Sequence, residues 1–224
     1  MVEDHIPNMR GLGFGDVSGS MGVSLNEKST LTLLDVSKVL CAAVAVTSGY
    51  AATFSDHGYI ANIEGYKGPF DLVLNHPQMN KGWGSTQVYG AVMDTIKYVK
   101  DHDIEPFKIL YFFSDMQFHP PGQGGDGSFM NHKLPPLELA LKEWQDAFGE
   151  APLVALWNLS SYEGAPLKCD YPGVAFVSGY DANVMKHLKD WASAGGRTVS
   201  VSKVTNKAEA MSCLLYTSDA ADEE

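Results

Sequence analysis

The feature that most constrains the fold is the run Lys108-Ile109-Leu110-Tyr111-Phe112-Phe113, which is apolar at five consecutive positions. A strand with one solvated face alternates apolar and polar residues, whereas a strand covered on both faces stays apolar throughout. This run therefore predicts a central parallel strand with helices on both sides. Its carboxyl end presents Asp115.

Other segments of the chain alternate between strand-like and helix-like patterns. Five further strands are predicted: a glycine-rich segment before Asp16, then residues 50–55, 59–63, 153–159 and 174–177. The turn Asp56-His57-Gly58 joins two of them as an antiparallel hairpin, which predicts a sheet edge. The pattern predicts an α/β fold: a doubly wound, mainly parallel six-stranded sheet with one antiparallel edge strand and right-handed crossovers. Gly11, Gly13 and Gly15 weaken the first strand, because glycine is a poor strand former.

Helices are predicted between these strands from apolar periodicity and end signals. They run from a cap at Ser29-Thr30 to about Ser48, from Thr86 through Val99, from Pro135-Pro136 to Gly149, from a cap at Asp181 through Trp191, and from about Asn206. The first is apolar nearly all round, which predicts a buried helix. Residues 67–83 are rich in Gly, Pro and Asn and are predicted to be irregular.

A compact group of oxygen donors follows the first strand. Asp16, Ser18 and Ser20 occupy alternate positions in Gly15-Asp16-Val17-Ser18-Gly19-Ser20-Met21. A curled backbone lets one carboxylate and two hydroxyls point at one centre. Hard oxygen ligands suit Mg2+, Mn2+ or Ca2+ better than zinc. A strand followed by a plain Ser/Gly turn is the alternative interpretation.

This pattern resembles the metal-ion-dependent adhesion site (MIDAS) of von Willebrand factor A (vWA) domains. The family adds a threonine at the start of a later helix and an aspartate at the end of a later strand, and Thr86 and Asp115 match in order and context. The resemblance implies a vWA/Rossmann-like fold and a magnesium site formed by Asp16, Ser18, Ser20, Thr86 and Asp115. One position on the ion is left for an acidic group of a partner.

Longer stretches show a closer resemblance. Residues 16–21, 113–118, 155–159 and 173–179 look like the C-terminal vWA domain of an uncharacterised family related to TROVE/Ro-type RNA-binding proteins. Members of that family carry an N-terminal helical region, so the resemblance implies that this chain is a metagenomic fragment. RNA association is expected only through that N-terminal region.

The end of the chain has an unusual sequence. Residues 213–224 resemble the translation of a sequencing-library adapter, with a genuine acidic tail as the alternative. We therefore predict one vWA-like domain over residues 1–212, cut inside its last helix, and a non-native tail over 213–224. Exclusion of the four acids in that tail changes the formal charge from −11 to −7.

Charge, apolar runs and cysteines bear on the binding partners and the cellular location of the protein. A charge of −7 disfavours direct binding of a nucleic-acid backbone. No apolar run spans a bilayer, and the first residues lack the pattern of a signal peptide. Cys41 and Cys169 form no C-x-x-C pair, so neither a disulfide framework nor a zinc site is indicated. We expect a cytoplasmic protein that is not bound to a membrane.

The loop from Gln117 to Lys133 leaves directly from Asp115 and is expected to overhang the site, which makes Gln117, Phe118 and His119 candidate ligand contacts. Three functions remain open. The preferred one is a non-enzymatic, cation-dependent module that binds an acidic group of a protein, including a ribonucleoprotein. The alternatives are a metal-dependent phosphoester hydrolase and a metal-free structural domain. Hydrolysis needs a base or nucleophile near the metal, and no G-x-S-x-G pattern surrounds the two serines.

Overall fold

A computed structural model describes residues 10–25, 29–80, 84–118, 136–160, 173–178 and 183–196. Its centre is one six-stranded sheet in the order β3-β2-β1-β4-β5-β6. The strands are β1 (Gly11–Asp16), β2 (Tyr50–Phe54), β3 (Gly58–Asn62), β4 (Ile109–Ser114), β5 (Leu153–Asn158) and β6 (Val174–Ser178). All neighbours pair in parallel except β2 with β3. The predicted mainly parallel sheet with one antiparallel edge strand is confirmed.

Helices cover both faces of the sheet. They are α1 (Leu33–Ser48), α2 (Pro69–Asn75), α3 (Val88–Asp101), α4 (Pro136–Phe148) and α5 (Asn183–Ser193). One apolar cluster joins the sheet to α1, α2 and α5, and the other joins it to α3 and α4. We call these the α1 face and the α3 face. The structure is the vWA/Rossmann-like α/β fold that the sequence predicts.

Gly13 of β1 allows α1 to lie very close to the sheet. A Cβ atom at Gly13 would lie 3.1 Å from Cys41 Cα and 3.2 Å from Val44 Cβ. Small side chains of α1 also bond to the strands: Ser37 Oγ donates to the Asp16 carbonyl at 3.1 Å, and Cys41 Sγ donates to the Gly13 carbonyl at 3.1 Å. Glycine weakens strand propensity, and at Gly13 its small size serves helix–sheet contact.

The α3 face is packed with rings instead. Phe14 and Phe112 are cross-strand partners, and their rings stack with centroids 4.7 Å apart. Phe54 meets Phe112 edge to face at 5.5 Å. All three rings are fully buried. Aromatic contacts of this kind add to the free energy gained from apolar burial.

The start of α1 differs from the prediction. The cap is Thr32 and not Ser29-Thr30, because Thr32 and Asp35 form a reciprocal capping box. Gly49 ends the helix in the left-handed conformation at φ 75°, which glycine adopts without strain. The helix is also less buried than predicted, since Val39 is 50% exposed.

The prediction that residues 67–83 are irregular is wrong in part, because α2 begins at Pro69. Proline suits the first helical position, where its missing N–H is not needed. The Asp71 carboxylate then accepts from the Lys67 amide at 2.9 Å and from Asn75 Nδ2 at 2.7 Å. These local bonds support a short helix.

The later helices follow the predicted stripes. Val88, Val92, Ile96 and Val99 are buried on α3; Leu137, Leu141 and Trp144 are buried on α4; Val184, Leu188 and Trp191 are buried on α5. The predicted cap at Asp181 and the helix predicted from about Asn206 lie outside the described residues. No helix in the described ranges has both the length and the apolar character needed to cross a membrane.

Candidate metal centre

The residue at the carboxyl end of β1 is Asp16, which is fully buried. The chain then enters a tight turn over Gly19–Gly22. Just before this turn the Ser18 amide donates to Asp16 Oδ1 at 2.8 Å, and the Ser18 hydroxyl oxygen lies 3.2 Å from that of Ser20 inside the turn. The structure thus brings together the three oxygen donors of the first predicted motif.

The neighbouring strand β4 delivers the second acid. Gly15 pairs with Phe113 in parallel register, so Asp16 and Ser114 lie at the same level and Asp115 follows immediately. Asp115 is 6% exposed, and its Oδ1 accepts from the Gln117 amide at 3.1 Å. Carboxyl ends of adjacent parallel strands meet at one sheet edge, where α/β folds bind ligands.

Hydrogen bonds at the end of β2 hold the segment that contains Thr86 at this edge. Phe54, the last residue of β2, accepts the Val17 amide at 3.0 Å, and Ser55 accepts the Gln87 amide at 2.8 Å. These two bonds place residue 86 beside the chain that leaves β1. Thr86 is buried, with 1% exposure, and directly precedes the residues that begin α3. The five predicted site residues therefore lie on three adjoining chain segments at one edge.

Two further hydrogen bonds hold the segment that contains Thr86. Asp56 Oδ1 accepts from the Ser85 amide and from the Ser85 hydroxyl, each at 2.6 Å. Sequence reasoning assigned Asp56 only to the β2–β3 turn. No sequence pattern reveals this contact, because the two residues meet only when the hairpin folds back over the start of α3.

Ser114 is the other residue that the sequence analysis missed. Its hydroxyl donates to Asp16 Oδ2 at 2.5 Å and accepts from the Met116 amide at 3.0 Å. The available signal was its place at the end of a central strand, directly before an acid. Side chains two apart on a strand share a face, so Ser114 continues the side of Phe112.

The electrostatic environment of Asp16 is unusual for an aspartate. Burial raises the pKa of Asp16 to about 6, hydrogen bonds from Ser114 and Ser18 oppose that rise, and the charge of Asp115 adds to it. Within the described ranges, no Lys, Arg or His forms an ion pair with either acid. An ionised carboxylate in this environment lacks a counter-ion among those residues.

The donor chemistry fits a hard divalent cation. Asp16 and Asp115 supply carboxylates, and Ser18, Ser20 and Thr86 supply hydroxyls; such oxygens suit Mg2+, Mn2+ or Ca2+. No group of three or more His, Cys, Asp or Glu able to hold a metal occurs among the residues that the structure describes. The candidate ligand set contains two acids and three hydroxyl residues, so it does not belong to groups of that composition.

The candidate ligand contacts divide into three cases. Gln117 is exposed beside Asp115. Phe118 is half-buried, and its ring centroid lies 6.4 Å from that of Phe54, so it packs on the α3 face. His119 lies outside the described residues. Of the two described residues, Gln117 has the side chain more open to a ligand.

Comparisons with known proteins agree with this fold. A family profile described as "Domain of unknown function (DUF7788)" matches residues 11–216. No curated protein sequence matches the chain significantly. The matched range ends within residues 213–224, whose adapter origin stays a prediction.

Among solved structures, the crystal structure of the Ro (RSR) protein of Deinococcus radiodurans is similar, with a TM-score of 0.53 and 16% identity. The match covers 81% of this chain and 34% of that chain, so this chain spans about a third of the Ro protein. The PilB minor pilin of Streptococcus sanguinis matches at a TM-score of 0.43 and 11% identity, over 83% of this chain and 60% of that one. The likeness to the Ro protein supports the fold.

Proposed function

This chain belongs to the DUF7788 family, and we propose that it is a non-enzymatic, divalent-cation-dependent binding module that recognises an acidic group of a protein partner. The ion is Mg2+, with Mn2+ or Ca2+ as alternatives. It would be held by Asp16, Ser18, Ser20, Thr86 and Asp115, as in a metal-ion-dependent adhesion site.

The observation that carries this proposal is the buried Asp16 carboxylate, which has Asp115 nearby and no cationic partner in the described ranges. A buried ionised carboxylate is costly unless a cation compensates it. A divalent ion would compensate both acids at once. The hydroxyls of Ser18 and Ser20, 3.2 Å apart in the adjoining turn, add neutral ligands of the right type.

An acidic partner follows from the charges of this ligand set. Two carboxylates leave a divalent ion roughly neutral, and hydroxyls add no charge, so an ion with an open position still attracts an anionic oxygen. A carboxylate of a protein meets that need. The likeness to a Ro protein makes a ribonucleoprotein a candidate source of that carboxylate. We propose no RNA contact for this acidic chain. The proposed location of the protein is the cytoplasm.

Calorimetry and thermal unfolding with Mg2+, Mn2+ and Ca2+ on the full chain test the proposal. Saturation at about 100 times Kd should stabilise the fold by about 2.7 kcal/mol, because ligand binds only the folded state. Chelation should remove that gain. Asp16→Ala should abolish metal binding and leave the domain folded, whereas Asp101→Ala, at an exposed acid ending α3, should change neither property.

Each contrary result has a definite meaning. Absence of any metal-induced stability change would leave a metal-free structural domain. Metal-dependent turnover of a phosphoester would make the protein a hydrolase. Unfolding of Asp16→Ala under native conditions would assign Asp16 to the core.

A further inference from the structure

The Ser114 hydroxyl occupies a junction between two parts of the candidate centre. Ser114 is fully buried at the end of β4. Its hydroxyl donates to Asp16 Oδ2 at 2.5 Å, across from β4 to β1. The same oxygen accepts from the Met116 amide at 3.0 Å, which ties it to the turn after β4. One side chain thus connects the Asp16 carboxylate to the segment that carries Asp115.

The turn after β4 needs such support. Met116 has φ 62°, a left-handed conformation that is uncommon for a residue other than glycine. The bond from its amide to Ser114 favours that conformation, and the next amide, of Gln117, donates to Asp115 Oδ1. The orientation of the Asp115 carboxylate therefore depends on a turn that the Ser114 hydroxyl helps to hold.

The Asp16 carboxylate is fixed at both oxygens. The Ser18 amide donates to Oδ1 at 2.8 Å, and Ser114 donates to Oδ2. An ionised carboxylate has about four acceptor sites, so the hydrogen bonds from Ser18 and Ser114 leave a site for an ion or its bound water. Partners of this kind orient metal ligands, and their loss typically lowers metal affinity about 10- to 100-fold.

We propose that Ser114 is a positioning residue of the metal centre: it does not bind the ion, but it fixes the Asp16 carboxylate and sets Asp16 and Asp115 in register. The inference rests on the proposed function. It adds a sixth residue to the centre, one that acts through two others. It also explains why a serine hydroxyl is buried at the end of an otherwise apolar strand.

The test measures Mg2+ and Mn2+ affinity of the full chain by calorimetry. Ser114→Ala should weaken both affinities about 10- to 100-fold at unchanged stoichiometry. Ser114→Thr keeps the hydroxyl on a β-branched side chain that suits a strand, and it should restore the affinity of the unaltered chain. Ser114→Cys offers a weaker donor and should fall between serine and alanine.

A matched control separates positioning from general stability. Thr95 is also fully buried, but its hydroxyl donates to the Ala91 carbonyl within α3 at 2.7 Å. Thr95→Val removes that hydroxyl at nearly constant shape. It should alter urea unfolding of the metal-free chain without changing metal affinity.

Two outcomes overturn the role of Ser114 alone. In the first, the unaltered chain and Ser114→Ala bind the metal with equal affinity. In the second, Ser114→Thr binds the metal as weakly as Ser114→Ala does. If Ser114→Ala fails to fold, equal affinities of the serine and cysteine forms overturn the role instead. Absence of metal binding by the unaltered chain overturns the proposed function together with this inference, so the two failures are distinguishable.

Discussion

The two faces of the sheet hold the site-bearing strand β1 in opposite ways. On the α1 face, Gly13 lets the backbone of α1 approach until a Cβ would lie 3.1 Å from Cys41 Cα. On the α3 face, Phe14 fills the space and stacks on Phe112 with ring centroids 4.7 Å apart. One face uses backbone proximity and the other uses side-chain volume. The first should therefore fail when atoms are added, and the second when atoms are removed.

The largest expected effect is a loss of volume on the α3 face. Phe112→Ala removes a fully buried ring that contacts Phe14 and Phe54. Such a truncation should lower the free energy of unfolding by about 3–5 kcal/mol, since it loses apolar burial and leaves a cavity. Urea unfolding of the metal-free chain measures it. A loss below about 1 kcal/mol would contradict the assignment of this face to volume filling.

The second prediction concerns Asp16, which follows Phe14 on the same side of β1. Because burial raises its pKa to about 6, the folded state keeps a proton that the unfolded chain releases near pH 4. Stability should therefore fall as pH rises from about 4 to about 6, by on the order of 3 kcal/mol, and this contribution should be flat outside that window.

Asp16→Asn isolates the effect, because the neutral amide does not titrate. Unfolding of both forms is measured in metal-free buffer across pH 4 to 7, and the difference between the curves reports Asp16 alone. An equal fall in the Asp16→Asn variant would show that other groups cause it. Gly13→Ala, a change on the α1 face, should keep the fall.

These contrasts also show what the sequence could predict. The fold was accessible because the consecutive apolar run before Ser114 implies a covered strand, and because helices alternate with strands around it. The site edge was accessible because Asp16 ends one such strand and Asp115 directly follows another. The covering of both faces and the alternation follow from pattern alone.

The features that the sequence did not predict have two causes. Either several residues could fill the same role, or the contact forms only in the tertiary structure. Ser29, Thr30 and Thr32 can all cap a helix, and Asp35 selects Thr32 through a reciprocal pair. Gly13 reduces the strand propensity of β1, while its benefit lies in contact with a helix elsewhere in the chain. Ser114 shows the same limit, because its partner is on a neighbouring strand.

The third prediction adds volume to the α1 face. Gly13→Val places a branched side chain where even a Cβ would lie 3.1 Å from Cys41 Cα and 3.2 Å from Val44 Cβ. Since the helix backbone must move, overpacking should cost about 1–3 kcal/mol of unfolding free energy. Gly22→Val is a suitable control, because a Cβ at Gly22 meets nothing within 4 Å. Equal losses in the two variants would show that backbone entropy, and not proximity, explains the result.

The smallest predicted effect separates shape from hydrogen bonding on the α1 face. Ser37→Ala keeps the small volume but removes the hydroxyl, which lies 3.1 Å from the Asp16 carbonyl and 3.0 Å from the Leu34 carbonyl of its own helix. Loss of one such bond should cost about 1 kcal/mol in urea unfolding. Cys41→Ala also removes a bond to a β1 carbonyl, but sulfur is a weak donor, so its cost should come mainly from lost packing. If Ser37→Ala is neutral while Gly13→Val is costly, close approach alone holds α1 on β1. If both are costly, the hydroxyl contributes to holding the strand end from which Asp16 faces the candidate centre.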